Sequence, residues 1–152
     1  MNLQGLLDAK RTDIITEAQA ALARARVSGY ERAGEAETSR RLTALFDLTK
    51  QAVGERNLAA IVAHAEEIAQ ARFEAGIDLS EVQTAFNVLE EAIWMRILKE
   101  LSPAQQAEAL GMISTVLGAG KDALARTYVS LATKTKTPSL NLQSLFHGTS
   151  GS

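Results

Sequence analysis

Residues 57–101, NLAAIVAHAEEIAQARFEAGIDLSEVQTAFNVLEEAIWMRILKEL, read as one helix, a sharp stop and a second helix with a strong start. Asn57 suits an N-cap, because its side-chain oxygen can accept from the free N–H groups of a first turn. Leu58, Ile61, Val62, Ala65, Ile68, Ala69 and Arg72 then follow one face at helical spacing. Gly76 suits the left-handed position that ends many helices, since it has no Cβ to clash there. Asp78-x-x-Glu81 resembles a capping box with Asp in place of Ser or Thr. Leu79, Val82, Phe86, Leu89, Ile93, Ile97 and Leu101 give a nearly unbroken apolar stripe, which Trp94 and Met95 extend sideways. A stripe this wide predicts burial on more than one side, either centrally in the fold or at a subunit interface.

The helical pattern continues in both directions. Ser102-Pro103-Ala104-Gln105 is a second start signal: Ser102 as N-cap, Pro103 at the first helical position, Gln105 completing a capping box. A final helix is predicted to run to about Thr133, with Leu110, Ile113, Leu117, Leu124, Tyr128 and Leu131 as its core series. Gly111, Gly118 and Gly120 interrupt its propensity. They are expected to mark close packing, a local bend or room for a ligand. Upstream, residues 3–27 read as a first helix ended by Ser28-Gly29. Residues 30–35 read as a polar connection, and residues 36–53 as a second helix stopped by Gly54. Lys10, Arg11, Arg24 and Arg26 fit a solvated face, with the last two favourable to the helix dipole. The segment KTKTPS at 134–139 reads as a linker, followed by a short docking segment carrying Leu140, Leu142, Leu145 and Phe146. The expected organisation is one helical domain over 3–133, then a linker and tail over 134–152.

The chain has 152 residues, 46% apolar and 22% charged, which is ordinary for one globular domain with a real core. Its net charge of −2 argues against a nucleic-acid binder that relies on a broad basic surface. It has no cysteine, which excludes disulfides, thiol catalysis and cysteine-ligated metal. With no signal-peptide pattern and no apolar run long enough to span a bilayer, a soluble cytoplasmic protein is expected, without membrane or nucleic-acid partners.

The search for chemistry returns little. His64 lies inside a helix with no second histidine at i+3 or i+4, and His147 lies in the tail. Glu66-Glu67 and Glu90-Glu91 are adjacent on helices, so the members of each pair point about 100° apart and neither pair makes a two-carboxylate site; both are expected on solvated faces. No Gly-rich phosphate loop or nucleophile elbow is present. No catalytic residue, metal ligand or cofactor is predicted. Arg72 stands out, a charge on the apolar side of its helix four residues before Gly76. A structural role would bond terminal carbonyls or pair with Glu81 across the join. A functional role would be anion recognition.

The join carries a resemblance. Ala69, Arg72, Gly76, Leu79, Val82, Ala85 and Leu89 match a pattern of a small residue, Arg-x-x-x-Gly, an apolar residue and Leu-x-x-Val before a long apolar helix. Leu124 and Tyr128 fit the end of the same domain. Over residues 3–133 the chain resembles the N-terminal regulatory domain of RsbR/RsbRD type, named for RsbT co-antagonist proteins of the bacterial stressosome. The resemblance implies an all-α, globin-like bundle of about five helices, non-haem and dimeric, with two long C-terminal helices. In that family such domains sit ahead of an output domain. This sequence has no room for one after Pro138, so either an isolated domain or a free-standing member acting on a regulatory protein partner is expected.

The leading expectation is therefore a non-enzymatic sensory domain that forms a homodimer and relays a signal through its last helix. Arg72, Gly76 and His64 are its candidate signal or motif residues. Trp94, Leu117, Gly118, Leu124 and Tyr128 are its candidate dimer or relay residues. One alternative is a haem-binding globin-type gas sensor, with His64 as the candidate ligand. Another is a structural helical adaptor.

Overall fold

A computed structural model describes residues 1–136, and among these every regular element is a helix. The helices are α1 (Leu3–Ala9), α2 (Arg11–Ala25), α3 (Ser28–Ala33), α4 (Glu35–Glu55), α5 (Ala59–Glu74), α6 (Leu79–Glu100) and α7 (Pro103–Lys136). The all-α class and the two long C-terminal helices are as expected; α6 has 22 residues and α7 has 34, so α7 is about 50 Å long. It continues through Lys134–Lys136, the first part of the expected linker. The rest of that linker, the docking segment with Leu140, Leu142, Leu145 and Phe146, and His147 lie outside the described residues.

The extra helices come from the N-terminal third. The single helix expected over 3–27 breaks at Lys10, which leaves helical geometry (φ −108°, ψ 16°) while its N–H still reaches the Leu6 carbonyl at 2.8 Å. The break lets α1 and α2 lay separate apolar pairs, Leu6–Leu7 and Ile14–Ile15, onto α4 and α6. The expected polar connection at 30–35 is mostly the short helix α3, and Tyr30 is buried. Val27 and Tyr30, three apart, turn inward together.

The stops also move. Arg26 (φ 55°) and Arg56 (φ 50°) take the left-handed positions that end α2 and α4, at a cost on the order of 1 kcal/mol each. Gly29 and Gly54 instead lie inside helices at close approaches. A Cβ on Gly29 would meet Ile77 Cδ1 at 3.2 Å, so this glycine lets α3 pack against the α5–α6 join.

α7 is the spine. Its most extensive packing is with α5, then with α6, while α2 covers the far side of α6. α6 is thus enclosed on two sides, which accounts for the main stripe from Val82 to Leu101, while Trp94 and Met95, which widen it, stay exposed. Gly120 sets the spacing: a Cβ there would stand 2.9 Å from Phe86 Cε2 and 3.5 Å from Ile61 Cγ1. Gly111 and Gly118 have open space around them, so close packing explains only one of the three glycines.

Candidate functional site

The join between α5 and α6 is a corner built almost entirely by local sequence. Gly76 has φ +76°, its N–H donates to the Phe73 carbonyl at 3.0 Å, and the Ile77 N–H donates to the Arg72 carbonyl at 2.9 Å. These two bonds form a Schellman motif, which requires a residue at ease with positive φ at position 76. The capping box of Asp78 and Glu81 starts α6 as expected. The Arg-x-x-x-Gly spacing is therefore a backbone device: the arginine supplies the accepting carbonyl and the glycine supplies the turn.

Two distant elements are tied to this corner. Tyr128 of α7 donates its hydroxyl to the Ile77 carbonyl at 2.9 Å, and its ring meets Phe73 edge-on at 5.7 Å. Glu81 accepts from Ser28 Oγ at 2.9 Å and, weakly, from the Gly29 N–H at 3.5 Å, which attaches α3. These bonds, with that to the Asp78 N–H, hold the Glu81 carboxylate below its ordinary pKa, the Ser28 bond contributing most. Burial first of all pushes Tyr128 up to about 12, so its hydroxyl stays a donor throughout the physiological range. Tyr128→Phe is expected to lower the unfolding free energy by about 1 kcal/mol, because the Ile77 carbonyl loses its donor while the aromatic packing is kept. Urea unfolding of the two proteins measures this.

Beside the corner lies a recess of about 110 Å³ between α3, α4, α5 and α6. Its polar wall is Tyr30, Arg40, Arg41, His64 and Arg72, and its floor is apolar, including Leu45, Ile68 and Phe86. Arg41 stands over the Tyr30 ring with its guanidinium carbon 5.8 Å from the centroid, a cation–π distance. Arg40 and Arg41 both pair with Glu37. Arg72 is paired with no carboxylate among the described residues, and its Nε is sealed from solvent without a hydrogen-bond partner. A charged donor left so costs upwards of about 1–3 kcal/mol. Burial raises the Tyr30 pKa, with the Arg72 and Arg41 charges opposing it.

His64 is half-buried on this wall. Its pKa is lowered, mainly by burial and also by the Arg72 charge, while Glu67 acts the other way. Because the folded pKa lies below the unfolded value of 6.5, the unfolded chain takes up the proton first. Stability is therefore full above that value and is lost as pH falls through it toward the folded pKa. His64→Gln is expected to flatten this acid-side loss, which urea titrations at about pH 8 and about pH 5 will detect.

The structure brings Arg72, Gly76, His64 and Tyr128 into one neighbourhood and separates the other candidates from it. Leu117 and Leu124 are fully buried and Tyr128 nearly so. Trp94 is exposed, together with Met95 and Leu98 on the same helix. Gly118 is half-buried beside open space. The expectation that Glu90 is solvated needs correction: it is buried, and it bonds Lys121 Nζ at 2.9 Å and Ser114 Oγ at 3.2 Å. The enclosure of α6 on two sides is the reason. The signal was available, since Glu90 lies four residues after Phe86 and Lys121 lies between Leu117 and Leu124. Tyr30 and Arg41 were missed because their contacts join separate helices.

A haem does not fit the recess. At about 110 Å³ it falls well short of the roughly 300–1,000 Å³ of pockets for drug-sized ligands, and Arg72 and Tyr30 stand on its wall. Among the described residues no group of three or more His, Cys, Asp or Glu side chains could hold a metal ion, and no helix is long and apolar enough to cross a membrane.

These features define an all-α domain organised around a stapled corner, with no constellation of catalytic side chains at that corner. The family model of the RsbT co-antagonist protein rsbRD N-terminal domain matches residues 13–134, and the chain belongs to that family. It is accordingly a stressosome-type regulatory domain. No curated protein and no solved structure gave a match to the chain.

Proposed function

We propose that the chain is a non-enzymatic sensory domain that pairs with a second copy and passes a signal along α7 to a regulatory partner. The family's description as an RsbT co-antagonist supports a role in controlling such a protein. The observation that carries the relay is the attachment of α7 at both ends. At its start Gln106 Nε2 donates to the Leu101 carbonyl at the end of α6 at 3.1 Å, and towards its other end the Tyr128 hydroxyl donates to the Ile77 carbonyl at 2.9 Å. A displacement at the corner therefore acts directly on the longest helix. A cytoplasmic setting and a globin-like helix arrangement belong to the same reading.

The surface proposed for the second copy is the outer face of α6. Trp94, Met95 and Leu98 are 38%, 49% and 52% exposed there, and their spacing puts them on adjoining positions of the helix. Light scattering at several concentrations tests the idea, with an absorption spectrum taken after haem is supplied. A concentration-dependent dimer without a Soret band is expected, and Met95→Glu/Leu98→Glu is expected to give a folded monomer. A wild-type protein that stays monomeric throughout would remove the dimer from this reading, and a stoichiometric Soret band would restore the haem sensor.

A further inference from the structure

We infer that the recess between α3, α4, α5 and α6 is a binding site for a small monocarboxylate with a short apolar tail. The inference concerns ligand chemistry and goes beyond the regulatory reading. Its first support is charge. Three arginines line the recess and no acidic residue does. Glu37 lies outside the lining and is shared by Arg40 and Arg41, so the wall keeps a net positive charge. Its second support is an unmet donor: Arg72 Nε is sealed from water and has no acceptor. The Arg72 guanidinium is planar and presents several N–H groups in a fork that matches a carboxylate. The Tyr30 hydroxyl lines the same recess and interacts with the Arg72 guanidinium, and its O–H offers a second donor.

The third support is shape. Below the cationic wall the lining turns apolar, with Leu42, Leu45, Ile68, Val82, Ala85 and Phe86. A fully charged ligand such as phosphate leaves that floor uncovered, and a hydrocarbon leaves Arg72 Nε without an acceptor. A volume of about 110 Å³ equals roughly four waters in the liquid. That admits a carboxylate with a tail of two or three carbons and excludes a long acyl chain.

Butyrate is the probe, with butyramide as its neutral counterpart and phosphate as the tailless anion, all at constant ionic strength. Nuclear magnetic resonance titration of the full chain reads the Arg72 Nε–H signal directly. Butyrate is expected to shift that signal saturably, with a dissociation constant on the order of 1 mM or tighter, while butyramide and phosphate bind at least about tenfold more weakly. Arg72→Gln is expected to lose about tenfold or more in butyrate affinity, read on the neighbouring backbone signals. Ala85→Leu, which fills the floor and keeps all three arginines, is expected to block butyrate and serves if Arg72→Gln does not fold. No saturable shift with butyrate, equal binding of butyramide or phosphate, or unchanged affinity in folded Ala85→Leu would each overturn the inference. None of these outcomes depends on whether the domain dimerises.

Discussion

Phe86→Ala is expected to lower the unfolding free energy by about 3–5 kcal/mol, the largest effect of any single substitution considered for this domain. Phe86 is 1% exposed and belongs to the central stripe of α6. Removing the ring loses its transfer free energy and leaves a cavity that rigid neighbours fill only partly. Its position against Gly120 makes the prediction more specific than a general core truncation. A Cβ at Gly120 would stand 2.9 Å from Phe86 Cε2, so Gly120→Ala in the wild type sets overpacking of about 1–3 kcal/mol against a helix-propensity gain of about 1 kcal/mol. In the Phe86→Ala background the clash is absent and only the gain remains. Gly120→Ala should therefore be neutral or harmful alone and stabilising in the double variant. Urea unfolding of the four proteins gives the coupling energy, and additive effects would show that Gly120 is not what lets α7 approach α6.

Lys121→Met is expected to cost about 2–3 kcal/mol. Lys121 Nζ donates to Glu90 at 2.9 Å and to Asn87 at 3.1 Å, and the Glu90 side chain is only 11% exposed. Without the lysine, Glu90 keeps Ser114 Oγ as its remaining partner among the described residues. The pair is asymmetric. Lys121 is 29% exposed and its flexible stem can turn the ammonium to water, so Glu90→Leu should cost clearly less than Lys121→Met. The combined Glu90→Leu/Lys121→Met protein should recover most of the loss, because replacing a buried ion pair by apolar side chains is often close to neutral. Equal single-variant costs would mean that Glu90 is better solvated than its burial indicates.

The corner was legible in the sequence because its parts lie within a few residues of one another. Gly76 closes a turn on Arg72 and Phe73, and Asp78 and Glu81 cap one another. Such devices depend on local backbone geometry, for which residue type is nearly sufficient. The same holds for Ser102-Pro103-Ala104-Gln105 and for the stripe of α6. The stops at Arg26 and Arg56 were not legible, because arginine has no preference for the positive φ that both adopt. The buried state of Tyr30 was hidden for a related reason: a six-residue helix too short to show a period is held by what it packs against.

The candidate site divides along the same line. Residue type and spacing singled out Arg72 and Gly76, but spacing explained only the backbone of the motif. The Arg72 side chain acquires its meaning from Tyr30 and Arg41, which arrive on other helices, and from His64 two turns earlier on α5. Tyr128 reaches Ile77 across 51 residues, Ser28 reaches Glu81 across 53, and Lys121 reaches Glu90 across 31. By itself the sequence determined the helices, the corner and the helical class, since each follows from propensity, capping and periodicity within a turn or two. The tertiary structure alone decided which charges are buried, which glycine sets a helix approach, and that a cationic recess exists, because those depend on side chains that meet only once the helices have packed.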